Sequence, residues 1–305
     1  MNTQNTILNR LLQTLDAGTA RRDRLDRYYR GEQPLAFLAP EAAEALGNRF
    51  NRLSVNIPRL AVTSLAERLR VIGFSRAGRP DAQLWDDWIA EDMDQLAVVA
   101  HREALALGAA YVIVWADGQG DPAVSVESAR QVAVLRDPGT REVVAALKRW
   151  ETEKTTEAVL YGPDTIARLR ANHVGAATFA QFSVVETFDN PLGAVPVVQL
   201  RNADRLLDDG VSEMEDLLPL VDGLNKLLAD MLVTSESFAR PRRWATGLEL
   251  AEDEAGNPIN PISEDMRMMV SEAPDTKFGQ LPAADLQAYE SSVRVILGQI
   301  MAVSG

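Results

Sequence analysis

The stretch from Ser212 to Ala239, SEMEDLLPLVDGLNKLLADMLVTSESFA, decides how the rest of the chain is read. Met214, Leu217, Val221, Leu224, Leu228, Met231 and Phe238 recur at alternating three- and four-residue steps, with only Ser235 breaking the series. A stripe of that period is narrow and suits long helices packed side by side, although one helix of a compact bundle carries the same stripe. Pro219 is tolerated only within a first turn, so the continuous helix is expected to start near Leu218. Ser212 with Glu215 reads as a capping box ahead of it. Running to about Ala239, the helix would be roughly 30 Å long.

Beyond Arg240-Pro-Arg-Arg243 lies a short region rich in acids and prolines: Glu249, Glu252, Asp253, Glu254, Pro258, Pro261, Glu264 and Asp265. Gly256-Asn257 suggests a hairpin tip within it. Pro282 then opens a second long helix from Ala283, with Leu286, Tyr289, Val293, Ile296, Leu297 and Ile300 on its apolar side.

Towards the N-terminus the period changes. Asn190 to Leu200 is extended, because each proline biases its predecessor away from helix. Strands are expected at Tyr111–Trp115, Ala123–Glu127, Val132–Leu135, Val143–Trp150, Glu157–Tyr161 and Phe182–Phe188. Turns at Asp117-Gly118 and Asp137-Pro-Gly139 punctuate them. Ahead of the strands come helices over Ile7–Tyr29, Asn56–Leu69 and Asp81–Leu107, with a loop over Gly73–Pro80. Helices followed by a run of strands make the fold class α+β, without alternating βαβ units.

The 305 residues are 46% hydrophobic and 25% charged, enough for a sizeable core and about two domains of a soluble, globular class. There is no cysteine, which excludes disulfides, thiolate zinc sites and cysteine nucleophiles and fits a reducing compartment. No signal peptide is read at the N-terminus. The most apolar long stretch, Leu96–Trp115, holds His101, Arg102 and Glu103 and is a poor membrane span, so no membrane partner is expected.

The net charge of −13 is uneven: residues 1–80 hold 13 Lys and Arg against 7 Asp and Glu, a net +6, and the rest is at −19. Arg21, Arg22, Arg24 and Arg27 decorate the first helix, as a solvated face or as a surface for an acidic neighbour. An acidic chain is a poor static binder of nucleic acid, which needs phosphate neutralisation. A conduit differs, because an electronegative wall lets a polyanion slide.

Little in the chain suggests catalysis. His101 lies within a helix and His173 in a loop, and neither neighbours a serine or carboxylate that would suggest a triad. Gly118-Gln-Gly120 lacks the third glycine and the strand–helix context of a phosphate loop. Asp253-Glu-Ala-Gly256 has the wrong oxygen spacing for an EF-hand. The best enzymatic candidate is Asp275-Thr-Lys277, because acid-x-Lys occurs in metal-dependent nucleases, but it lacks a second acid on a strand core. No enzyme, cofactor or metal site is expected.

Several patches, and above all their order, resemble the portal proteins of tailed bacteriophages, of the siphophage type found in actinobacterial phages and prophages. Tyr28-Tyr-Arg-Gly-Glu-Gln-Pro-Leu35 follows the first helix, and Asn51-Arg-Leu-Ser-Val-Asn56 precedes the second. Asn190-Pro-Leu-Gly-Ala-Val-Pro-Val-Val198 looks like the strand leading out of a wing domain. Gly210-Val-Ser-Glu213, Asp222-Gly-Leu-Asn225-Lys226 and Ala239-Arg-Pro241 look like a first stem helix and its exit. Ile300–Gly305 is similar to the end of a second.

The resemblance implies a wing domain over 1–210, a first stem helix over 211–240, an α/β clip over 241–282 and a second, antiparallel stem helix over 283–305. It implies a ring of about twelve copies at one capsid vertex of the virion, assembled in the host cytoplasm, through which double-stranded DNA passes. The partners it implies are further copies of the chain, the terminase large subunit, the head–tail connector, and scaffold and capsid proteins. Val221, Leu224, Leu228, Met231, Leu286, Val293, Ile296 and Ile300 would pack the stem or the subunit interface. Glu249, Glu252, Asp253, Glu254, Glu264 and Asp265 would face the channel from the clip. Family members continue into a tunnel loop and a helical crown, so this sequence is expected to be a fragment or an incomplete prophage gene. The rival readings are an acidic adaptor or scaffold with no DNA pathway, and the metal nuclease built on Asp275 and Lys277.

Overall fold

The computed structural model describes residues 3–35, 54–116, 120–239, 243–247, 274–280 and 286–304. It is α+β, as the sequence predicts, with helices packed on small antiparallel sheets. Two compact units are present, one from residues 1–33 and 56–218, the other from 34–55 and 219–303.

The first unit opens with α1 (Thr3–Ala17) and α2 (Thr19–Arg30) where one continuous helix is predicted. The two helices feed different cores. Leu8, Leu11, Leu12 and Leu15 of α1 pack with Leu147, Leu169 and Phe182, whereas Leu25 and Tyr28 of α2 pack with Val62, Leu105 and Tyr111. Gly18 marks the break. A Cβ there would lie 2.6 Å from the Arg22 guanidinium, which donates to the Leu15 carbonyl at 3.2 Å.

α3 (Ile57–Ala66) follows, and then a two-stranded hairpin of β1 (Ser75–Arg76) and β2 (Arg79–Pro80). The helix predicted over Asp81–Leu107 is also two, α4 (Ala82–Ala90) and α5 (Met93–Leu107). Asp81 caps α4 by accepting from the Leu84 amide at 3.2 Å. Asp92 is left-handed between the helices (φ 53°), a conformation that breaks the run. α5 buries Met93, Ala97, Ala100 and Ala104 along one stripe, whose small residues allow close approach to the neighbouring elements.

Two antiparallel sheets complete this unit. In the first, β3 (Ala109–Ala116) lies between β4 (Pro122–Ser128) and β10 (Val197–Arg201). The second is a meander of β5 (Val132–Arg136), β6 (Val143–Glu151), β7 (Thr156–Tyr161), β8 (Thr165–Ala171) and β9 (Ser183–Asp189). The sequence reading missed β8. Its pairing with β9 shifts register between Arg168 and Leu169, so the inward side chains Ile166, Leu169 and Ala171 do not alternate. Burying a side chain such as Leu12 or Leu147 completely contributes about 1.5–3 kcal/mol relative to leaving it in water.

The segment after β10 is sewn to the end of α5. Glu213 N–H donates to the Leu105 carbonyl (2.9 Å), Ser212 Oγ to that of Ala106 (2.6 Å), and Asn202 N–H to that of Gly108 (2.9 Å). Gly108 (φ 91°) and Gly210 (φ 126°) meet backbone to backbone, and a Cβ on Gly210 would lie 2.1 Å from the Gly108 carbonyl oxygen. Only glycine fits there. The predicted capping box does not form. Ser212 accepts from the Met214 amide (3.1 Å), a 3₁₀ turn spans Glu215–Leu217, and the Glu215 carboxylate is drawn to Arg21 instead.

In the second unit, α6 (Leu218–Ala239) begins where the Pro219 argument places it. β11 (Arg243–Thr246) pairs antiparallel with β12 (Lys277–Gln280), and α7 spans Leu286–Ser304. The expected hairpin tip at Gly256-Asn257 lies outside the described residues.

Candidate functional site: the paired long helices

α6 and α7 touch at two levels. Ile296 Cδ1 of α7 lies 3.6 Å from where a Gly223 Cβ would sit, an ordinary van der Waals contact. The hydroxyls of Thr234 and Tyr289 lie 3.2 Å apart. Moving up α6 from 223 to 234 therefore means moving down α7 from 296 to 289, and the helices are antiparallel. At 1.5 Å per residue, the 22 residues of α6 reach about 33 Å.

Burial along this pair is graded. Val221 and Leu224 are buried, Leu228 and Met231 half-buried. On α7, Val293 and Ile296 are half-buried and Ile300 buried, while the Leu286 side chain lies outside the described residues. Val295 (64% exposed), Leu297, Met301 (68%) and Val303 remain open to solvent. The contact stripe predicted on α6 is thus packed tightly at its N-terminal end and loosely further on.

Two polar residues sit inside the buried end. Asp222 and Asn225 are both buried, and Asn225 Oδ1 accepts the Val55 amide at 2.9 Å. That bond joins two of the patches carrying the resemblance, the one ending at Asn56 and the one running from Asp222. Sequence reading assigned Asn225 no role. The signal was present: a polar residue one turn on from Val221 and next to Leu224 must find a partner when the helix is packed.

Two ion pairs lie along the helices, Lys226 with Asp230 and Arg294 with Glu290, each one turn apart. The acids expected to face a channel, Glu249, Glu252, Asp253, Glu254, Glu264 and Asp265, all lie outside the described residues. Asp275 is exposed in a turn and Lys277 exposed at the start of β12. Among the described residues, no group of three His, Asp or Glu gathers as a metal-ligand set, and no helix is long and apolar enough to cross a membrane.

Among the described residues, the perturbed ionisable groups belong to the first unit. Hydrogen bonding to Arg21 holds the Glu215 carboxyl below its usual range, against partial burial. Burial, with the Glu127 carboxylate adding to it, pushes the Tyr161 phenol up to about 12. Glu127 is buried, and it accepts from Lys148 Nζ at 2.5 Å and from Ser125 Oγ at 2.9 Å. His173 Nε2 lies 3.2 Å from the Gln181 amide nitrogen on the surface.

An α+β body of small antiparallel sheets, followed by two long antiparallel helices with a two-stranded ribbon between them in sequence, is the arrangement the resemblance implies. Residues 8–303 match the family described as phage portal protein, SPP1 Gp6-like. The chain belongs to that family of bacteriophage structural proteins. It is 29% identical over 272 residues to the portal proteins of Mycobacterium phages D29 and L5, an alignment covering 82% of this chain and 54% of each relative. The chain thus spans about half the length of the curated relatives it matches. Among solved structures it is similar to the neck of a native GTA particle computed with C12 symmetry. There the TM-score is 0.42 at 12% identity, over 94% of this chain and 73% of the other.

Proposed function

We propose that this chain is a subunit of the portal ring, a passive conduit for double-stranded DNA at one capsid vertex. Membership of the portal family over residues 8–303 carries this reading. The antiparallel contact of α6 with α7 supports it, because long rods with apolar surface left open suit side-by-side assembly. In this reading residues 1–210 form the wing, 211–240 and 283–305 the two stem helices and 241–282 the clip. About twelve copies close the ring. It docks the terminase large subunit during packaging and the head–tail connector afterwards, and contacts scaffold and capsid proteins while assembling in the host cytoplasm.

The wall lets DNA slide because it does not hold it. Close like-charge pairs in water are worth about 1 kcal/mol, so acids repel the duplex weakly at each contact. In this reading the duty falls on acids of the clip, between residues 249 and 265, and of the inner stem face, where α6 carries three acids against one lysine. Negative-stain electron microscopy of the purified protein tests the ring: closed rings with a central hole are expected. Dimers or filaments would make the chain an adaptor without a DNA pathway. A gel-shift titration at physiological salt tests the wall, and tight retention of duplex DNA would overturn it.

A further inference from the structure

We infer that Glu67–Pro80 and α4, the helix that follows it, are the two halves of a contact between copies of this chain. The inference rests on the reading that copies associate, and it names the surface through which they do so. Two consecutive blocks of sequence carry opposite charge. Residues 67–80 hold Arg68, Arg70, Arg76 and Arg79 against the single acid Glu67. Residues 81–94 hold six Asp and Glu and no Lys or Arg.

The first block forms an exposed arm. Ile72 is 92% exposed and Leu69 43%, between arginines. Its hairpin turns at Ala77 and Gly78, both left-handed (φ 51° and 78°), which gives a tight, outward-pointing tip. Phe74 fixes the base of the arm, its ring 5.2 Å from Trp88 and 6.2 Å from Trp85 on the inner face of α4. The outer side of α4 carries Asp86 and Asp87, and Leu84 and Ile89, each 42% exposed, flank the tryptophan face on either side.

These halves do not neutralise each other within one chain. Arg76 with Asp81, at 3.1 Å, is the one ion pair between them among the described residues. Arg68, Arg70 and Arg79 on one side and Asp86, Asp87, Asp92 and Asp94 on the other make none among the described residues. The Phe74 anchor holds arm and helix side by side, so a second copy is needed to lay one on the other. Each then meets its complement: aliphatic side chains among arginines against aliphatic side chains among aspartates. Such matching steers association and fixes register.

A nucleic acid fits this surface less well. The arm has no outward aromatic ring for a base to stack on. The carboxylates next to it would be pressed against phosphates.

A reciprocal charge reversal tests the inference on the 305-residue chain by sedimentation velocity. One variant carries Arg68→Glu, Arg70→Glu and Arg79→Glu; the other carries Asp86→Arg and Asp87→Arg. All five side chains lie in exposed or half-exposed positions without ion-pair partners among the described residues, and circular dichroism checks that each variant is folded. Each alone is expected to need at least about tenfold more protein to associate, because like charges now face each other, and an equimolar mixture restores association. The parent has no cysteine, so an Ile72→Cys, Ile89→Cys double variant treated with a bismaleimide should give a ladder of cross-linked copies. If both reversed variants associate like the parent and no ladder forms, the contact lies elsewhere and the ring reading stands. If the arm reversal weakens duplex DNA binding and leaves association unchanged, the arm is a nucleic-acid surface and the inference is wrong. A parent chain that never self-associates overturns this inference and the ring reading together.

Discussion

The two compact units spend their apolar residues differently. In residues 1–33 and 56–218, leucines such as Leu12 and Leu147 are wholly buried between helix and sheet. Among the described residues of 219–303, burial is confined to one edge and one end of the helix pair, and Met301 is 68% exposed. The apolar stripes of α1 and α6 look alike in sequence, yet one is sealed by its own chain and the other is only partly covered. The first unit encloses an interior of its own while leaving Ile72 on its arm open, whereas in the second the open apolar surface lies along the helix pair itself.

Truncation in the sealed unit should have the largest effect. Leu147→Ala leaves a cavity between α1 and the five-stranded sheet, and should cost about 2–5 kcal/mol in urea denaturation. A cost below that of an exposed substitution would break the contrast between the units. At the packed end of α6, Asn225→Ala strands the Val55 amide and should cost about 1–3 kcal/mol. Hydrogen exchange at Val55 would sharpen the point, since its protection should fall with the variant.

The Arg21–Glu215 pair comes next. Both side chains are partly exposed, so Glu215→Gln should cost less than about 1 kcal/mol at pH 7. Because the folded-state pKa of Glu215 is depressed, its contribution is present at neutral pH and is lost as pH falls through the carboxylate range. The parent and variant stability curves should therefore converge in acid. Curves that stay parallel would show that the pair contributes through shape and not charge. The smallest effect is expected at Met301→Ala, within about 0.5 kcal/mol for the isolated chain. The same change should weaken self-association if that surface is covered in the assembly.

Much of the architecture was legible because local rules acted alone. Pro219 marked the start of α6, and β-branched runs marked all but one strand of the two main sheets. The readings that failed did so where a distant partner intervened. Glu215 has the right spacing to cap a helix with Ser212, but Arg21, almost two hundred residues away in sequence, offers it a guanidinium. Of the stem residues expected to pack, Val221, Leu224 and Ile300 are buried and Leu228, Met231, Val293 and Ile296 only half-buried. Periodicity reports which side chains share a face, and is silent on how much covers that face.

Taken alone, the chain's residues determined its class, its helical and strand periods, its split between a basic start and an acidic remainder, and the order of patches shared with portal proteins. Tertiary structure alone decided that the first helix breaks at Gly18 and the third predicted helix at Asp92. It also decided that Gly108 and Gly210 meet, and that among the described residues an arginine-rich arm pairs with the acidic block after it only through Arg76 and Asp81. The reason is physical: propensity and period act over a few residues, while breaks, close approaches and unpaired charges depend on which distant surface arrives to fill the space.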